Sequence, residues 1–490
     1  MKLEKLRKYQ KEIFDLQHCI NVIGWDLRIS TPRDEKEEVV DLISVLEDKL
    51  FKLQTNNDYE ILLKGAIESD EFKELSLSEQ RYINNLLKNY YKKINVPNDF
   101  YIEYTEFLHK STIVWEEAKK NNDYNIFKPY LEKVIELTKK YYSYINFDGD
   151  LYDVMLNEYE VGLTSDDIDK LFSELKEKIL PIIPKEGGLT SFIKINASES
   201  DVMKCAEFLL DYIGFDMNKG KLGFYPHGFT EKIGNNDVRI AFKKTDNALD
   251  FVSTIIHEGG HGILEQNVNS NLTKYECMTC EGINALHESQ SRFFENMLGR
   301  NINFWIPIYD KVKEMLGLDA DINEFVKGLN SPVASLVRTE ADELTYCMHI
   351  ILRYEIERDL FSGKINVDDL PNVWNQKMKE YLGVEVINDK DGVMQDVHWA
   401  EGDFGYFPSY LIGSIFDGMF LEIIENDLGS IDEILKSGNI KVITKYLIEN
   451  IYVNGAAFTG REVLEKLGRN NLSVVPLVNY FYKKYGNKNY

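Results

Sequence analysis

A mainly α-helical fold is predicted from three features of the sequence. Apolar residues recur with a period near 3.6 over most of the chain, helix-start signals recur, and only 11 prolines interrupt 490 residues. Ser76–Glu79, Thr164–Asp167 and Ser198–Asp201 each place a capping hydroxyl three residues before an acid, ahead of an apolar-periodic run. The Tyr-rich stretches Tyr82–Tyr91 and Tyr124–Tyr144 read as core and interface aromatics on amphipathic helices. One segment departs from the pattern. From Lys221 to Lys243 the sequence is KLGFYPHGFTEKIGNNDVRIAFK, two β-rich runs around a Gly234–Asp237 turn, which predicts a small hairpin or sheet. Without a Ser/Gly/Pro-rich linker, low-complexity tract or internal repeat, residues 1–490 are expected to form one large helical unit with a deep groove.

The charge balance is acidic: 57 Lys and Arg against 81 Asp and Glu, a net charge of −24. Such a surface argues against nucleic-acid and anionic-membrane partners. The opening MKLEKLRKYQKEIF has neither an apolar core nor a small-residue cleavage site, so a secretory signal is not expected. No run is expected to approach the roughly 20 apolar residues that span a bilayer. The chain therefore reads as soluble and cytoplasmic. Its five cysteines form no disulfide framework, and the Cys277–Cys280 pair (CMTC) reads as reduced thiols, because a redox site or zinc knuckle would need more context.

The chemistry concentrates in HEGGH, His257–His261. Residues i and i+4 share one helix face, so two imidazoles can address a single ion, and Glu258 can reach a water bound to it. This is the arrangement of zinc hydrolases. A catalytic zinc takes three protein ligands and keeps a fourth position for water. Glu288, in the HESQ of His287–Gln290, is the candidate third ligand, far enough along the chain for a second helix to pack back on the first. Phe251, Val252, Ile255, Ile256, Ile263 and Leu264 make the flanks apolar, so the polar cluster should be buried, and buried charge needs a partner or a metal. Mid-helix Gly259 and Gly260 signal close approach by a neighbouring helix, by substrate backbone, or by both. The β-rich run just before this helix could hold substrate backbone as an added strand.

Further motifs follow in order: VRTEAD at Val337–Asp342, GVMQDVHW at Gly392–Trp399, and Gly405–Tyr410. Taken together with His227–Phe229, Asp237–Ala241, HEGGH and HESQ, these make the chain resemble the carboxypeptidase Taq family of metallocarboxypeptidases, whose pattern is HPF, DxRxT, HExxH, HE(S/G)Q, (I/V)RxxAD and GxxQDxHW. VIGWD at Val22–Asp26 resembles the family's opening helix, so the similarity spans nearly the whole chain. Two positions depart: Gly228 stands for the proline of HPF and Ala241 for the threonine of DxRxT. Either could reshape the groove while leaving the metal chemistry intact.

The resemblance implies a homodimer, one Zn²⁺ or Co²⁺ per chain, and stepwise release of single residues from peptide C-termini with broad specificity. His257, His261 and Glu288 would hold the ion and Glu258 would act as general base. Related helical zinc peptidases stabilise the oxyanion with a histidine and a tyrosine about a dozen residues later; His398 and Tyr410 match, with Tyr406 as rival. The substrate's terminal carboxylate calls for an arginine. Arg239 and Arg338 are the candidates, although Arg338 could instead pair with Asp342 across one helical turn. Gln395 and His227 are expected to line the groove. The competing functions are a helical endo-oligopeptidase, which would need no carboxylate clamp, and a peptide-binding scaffold, which would need no general base.

Overall fold

The computed structural model describes residues 2–145, 149–184, 191–269, 272 and 282–486. Cys277 and Cys280 lie outside these residues; the described Cys19, Cys205 and Cys347 are free thiols. The elements are helices throughout, with one three-stranded sheet. The expected caps form. Ser76 and Thr164 make reciprocal boxes with Glu79 and Asp167, while Ser198 accepts from the Asp201 amide alone.

The N-terminal helix α1 (Lys2–Ile29) buries one stripe, including Leu6, Ile13 and Ile20, in a small satellite core shared with the helices that follow. The Tyr-rich segments behave as expected: in Tyr82–Tyr91, Tyr90 is buried and meets Tyr59 edge-on at 6.2 Å. In α2 (Asn98–Asn121) and α3 (Tyr124–Ser143), Tyr104 stacks on Tyr141 at 5.0 Å, and Tyr124 and Tyr142 are buried. Helix α4 (Glu199–Ile213) then leads to the sheet.

Strands β1 (Gly220–Phe224), β2 (Phe229–Gly234) and β3 (Asp237–Phe242) lie in the order β1-β3-β2, β1 parallel and β2 antiparallel to β3. The two-residue Asn235-Asn236 connection joins β2 to β3, as the turn residues predict. Two-residue alternation gives this sheet two distinct faces. One face packs on α5 (Ala248–Asn267), where Gly262 meets Ile240. The other faces α1, where Trp25, Ile233 and Ala241 form a cluster of their own.

Helix α5 carries HEGGH and is buried along the predicted residues Phe251, Val252, Ile255, Ile256, Ile263 and Leu264. Burying each such side chain contributes about 1.5–3 kcal/mol of gross transfer energy, enough to hold a glycine-bearing helix in place. Against it lies α6 (Asn284–Arg292), which runs straight into a π-helical turn at Phe293–Leu298. Three more elements complete the surroundings: α7 (Tyr346–Phe361), the short α8 (His398–Glu401) and α9 (Phe407–Leu428).

The expectation that no run is long and apolar enough to span a bilayer needs correction. Among the described residues α9 qualifies by length and composition, yet 83% of its apolar window is buried inside the protein. It is apolar all round because it is packed all round, the mark of a central core helix.

Candidate active site

Asn247 caps α5 by accepting from the Leu249 amide, and HEGGH falls in the middle of the helix. The His257 and His261 rings stand 5.0 Å apart, one turn from each other on the same face. The two glycines between them serve helix packing. A Cβ on Gly259 would lie 2.7 Å from Leu210 and 2.6 Å from Ile213 of α4. On Gly260 it would lie 2.6 Å from the Ser291 Cα and 2.7 Å from the Gln290 carbonyl oxygen of α6. Gly260 thus lets α6 approach backbone to backbone, and α6 carries Glu288. Ligand atoms of His257, His261 and Glu288 all lie within 4.8 Å of one another, the one such cluster among the described residues.

The surroundings favour a cation. His257 Nδ1 lies 2.9 Å from Glu295 Oε2, which leaves Nε2 for an ion. Burial opposes charge on His257, but the hydrogen bond to Glu295, with Glu288 and Glu258 nearby, prevails and raises its pKa to about 9. Glu295 is likewise opposed by burial yet pulled down to about 2 by His257, Arg300 and Arg292. It projects from the π-helical turn, a local distortion that often marks functional sites. Two imidazoles and a carboxylate, ringed by further acids, suit a divalent transition-metal ion.

Glu258 is 6% exposed, and burial raises its pKa. Thr230 of β2 donates to its Oε2 at 2.7 Å; the same hydroxyl is 3.0 Å from the Glu258 carbonyl. The other oxygen, Oε1, lies over Gly228, where a Cβ would come within 2.8 Å. The departure from HPF therefore sits directly beside the predicted base.

His398 and Tyr410 come together as predicted, with Nε2 3.3 Å from the hydroxyl. Burial, reinforced by Arg338, lowers the His398 pKa to about 4, so the ring is neutral at ordinary pH. Tyr406 joins the same cluster, 5.2 Å from the Tyr410 ring and 5.5 Å from His398.

Arg338 is buried among these groups, its guanidinium 5.0 Å from the Tyr410 ring centre, donating to Asp396 at 2.9 Å and to the Tyr346 hydroxyl at 3.0 Å. It stands in a short 3-10 turn at Arg338–Glu340, outside any α-helix, and pairs with Asp396 in place of Asp342. Asp342 instead accepts from Val333, Leu344 and Thr345 ahead of α7. A path of contacts links this region to the metal cluster: Arg292 lies 3.7 Å from Glu288 and 4.0 Å over the Tyr346 ring.

Arg239 and Gln395 are placed differently from expectation. Arg239 is cross-strand partner to Glu231, one residue out of phase with Thr230, so it points to the α1 face of the sheet. There its guanidinium is paired bidentately with Asp237, at 2.9 and 2.6 Å, and lies 5.7 Å over Trp25. Gln395 does not line a groove. Its Oε1 accepts from the Arg338 amide and from Arg353, and its Nε2 donates to the Leu336 and Asp391 carbonyls. It braces Arg338. His227 is exposed, edge-on to Tyr225 at 4.9 Å.

Sequence reasoning missed Thr230, Glu295, Asp396 and Arg353. Glu295 could have been found, two turns beyond Glu288 on the same face. Asp396 sits within the recognised GVMQDVHW segment, bridging Arg338 and Arg353 at 2.9 and 2.6 Å. Thr230 carried no local signal.

This fold and cluster define a helical metallopeptidase with its candidate metal ligands on two packed helices. The sequence profile of the carboxypeptidase Taq (M32) metallopeptidase family matches residues 5–485. The chain is 34% identical to carboxypeptidase 1 of Bacillus subtilis, covering 99% of both chains. It is 30% identical to thermostable carboxypeptidase 1 of Pyrococcus furiosus, covering 98% of this chain and 97% of the relative. Among solved structures, the M32 carboxypeptidase of Deinococcus radiodurans superposes with a TM-score of 0.93 at 28% identity, over 99% of each chain. The chain belongs to the carboxypeptidase Taq (M32) family, and it is a metal-dependent carboxypeptidase.

Proposed function

We propose that the protein removes single residues from peptide C-termini with broad specificity, using one Zn²⁺ per chain, replaceable by Co²⁺, held by His257, His261 and Glu288. The observation that carries this reading is the convergence of those three side chains within 4.8 Å, on helices locked together at Gly260. An ion bound there supplies Lewis acidity, polarising the scissile carbonyl and lowering the pKa of water toward about 7.

The chain's own residues do the rest. Glu258, steadied at Oε2 by Thr230, offers Oε1 to take the proton of the attacking water and returns it to the leaving amine. Neutral His398 and Tyr410 donate to the developing oxyanion, with Tyr406 packed beside them. Arg338, buried beside Tyr410, pairs with the terminal carboxylate. Arg239 points to the α1 face of the sheet, out of phase with Thr230 and away from Glu258, and takes no such role. The acidic surface supports peptides over nucleic acid or membrane as partners, and the free thiols support a cytoplasmic setting. The homodimer rests on the family likeness and is checked by sedimentation.

Glu258→Gln and Glu288→Gln test the assignment together. The first should keep its metal while turnover falls by orders of magnitude; the second should lose metal affinity. Equal metal content in the two variants would show ligand and base to be wrongly assigned. Mass analysis of free peptides should show stepwise C-terminal trimming, and internal cuts would point to an oligopeptidase.

A further inference from the structure

The two histidines of the metal cluster are held in different ways. His257 has the usual support, a carboxylate on its second ring nitrogen. His261 directs Nε2 toward Glu288, 3.6 Å away, while its buried Nδ1 makes no close hydrogen bond and the His287 backbone acts on the ring only weakly. What covers the ring is another imidazole. His287 lies flat on it, centroids 4.4 Å apart and planes 18° from parallel.

His287 is itself fixed. Its Nε2 is 3.1 Å from Glu265 Oε1, and Glu265 stands one turn beyond His261 on α5. Lys232 of β2 donates to the Glu265 carbonyl at 3.0 Å and lies 3.4 Å from its carboxylate. The Lys232 side chain is only 5% exposed, and an ammonium is buried that deeply only when it is paired. Its own backbone carbonyl accepts from Asn21 of α1 at 3.1 Å. A continuous line of contacts therefore runs from α1 and the sheet through Lys232, Glu265 and His287 to the face of His261.

We propose that His287 is a positioning residue for the metal ion, locked by Glu265 and Lys232, and that its stacked ring orients His261 where a hydrogen bond orients His257. With Nε2 committed to Glu265, His287 supports the ligand without being one. A ring held on one face cannot rotate about its Cβ–Cγ bond, so its Nε2 stays aimed at the ion. The proposal rests on the reading of His261 as a ligand, and the test separates the two.

The experiment measures metal binding on the metal-stripped full chain, by competition for Zn²⁺ or Co²⁺ with a chromogenic chelator and by the rate of release into excess chelator. His261→Ala should abolish tight binding; if it does not, the ligand reading itself fails. His287→Ala should weaken binding by about 10–100-fold and speed release. His287→Phe, which keeps an aromatic plane but loses Glu265, should lose less. Glu265→Gln, which keeps size but loosens the His287 ring, should fall between wild type and His287→Ala. The proposal is overturned if His287→Ala binds within about twofold of wild type while His261→Ala does not bind. It is also overturned if His287→Ala loses metal as completely as His261→Ala, since His287 would then be a ligand. Should His287→Ala fail to fold, an unchanged Kd in Glu265→Gln overturns it equally.

Discussion

The Thr230 hydroxyl donates to Glu258 Oε2 at 2.7 Å, and Gly228 leaves the space that Oε1 occupies. The proposed general base is thus seated between a hydroxyl and a bare Cα, both from the segment that starts β2. Thr230→Val keeps the shape and removes the donor. A hydrogen bond to a charged group is worth about 1.5–3 kcal/mol, so kcat should fall about tenfold or more with KM and metal content unchanged. Thr230→Ser should restore most of the rate. Gly228→Ala should also lower kcat, because its Cβ would press on Oε1 and, at 2.8 Å, on the Thr254 methyl. Steady-state kinetics on metal-quantified protein decide the matter, and an unimpaired Thr230→Val would remove Thr230 from the machinery.

Gly260→Ala should act on the metal through packing. The added Cβ meets α6 backbone, which cannot rotate aside as a side-chain tip can. The helices must part by a fraction of an ångström, at a cost of about 1–3 kcal/mol, and Glu288 moves with α6. The expected result is a lower melting temperature for the apo protein together with weaker zinc binding. Thermal unfolding and chelator competition report the two effects; a variant normal in both would mean that the Gly260 contact is not tight in solution.

How far the sequence reveals this site depends on the range of the interaction. HEGGH was legible because its geometry is one helical turn, and its burial was legible because the flanking residues are apolar. The sheet was legible from its β-rich runs and its GNND turn. Arg338 was not, since its partner Asp396 is distant in sequence and the nearer acid, Asp342, turned out to organise the start of α7. The direction of Arg239 follows from strand register, which pairs it with Glu231 and sets it opposite in phase to Thr230, and register is a property of the folded sheet. Helix α9 shows the limit of composition. A helix buried on every side and one crossing a bilayer present the same residues.

Glu160 gives the fold a pH dependence of known sign. Its carboxyl is buried under Ser409 and the Ala285 amide, both donating to Oε1 at 2.6 Å, and burial raises its pKa to about 8. The native state therefore keeps a proton that the unfolded chain releases above its ordinary value of 4.5. Its stabilising contribution is complete below that value and is lost as pH rises through about 8. Glu160→Gln retains an oxygen for both donors and cannot ionise. Its melting temperature should gain on wild type steadily between pH 5 and pH 8. A difference constant across that range would mean that Glu160 is already ionised in the fold.

In the proposed function, Arg338 is the residue that makes the enzyme trim ends. A carboxylate brought to a site this buried is costly to leave unpaired, and a planar guanidinium can meet it with two parallel bonds. Arg338 lies against Tyr410 and Tyr346 with Asp396 fixing one edge, an arrangement that aims it without flexibility. Arg338→Met should raise KM strongly for peptides with a free C-terminus and scarcely change the poor cleavage of C-amidated ones. Arg338→Lys should rescue only partly, because an ammonium cannot make the two-pronged pair. Some stability will be lost as well, since Asp396 would retain Arg353 alone. The comparison of free with amidated substrate on the same preparation removes that effect. Arg239→Met is the control: with its guanidinium spent on Asp237 across the sheet from Glu258, it should leave the preference for a free C-terminus intact. If Arg239→Met abolishes that preference and Arg338→Met does not, the carboxylate is read from the α1 face of the sheet and the substrate must lie on that side of the metal.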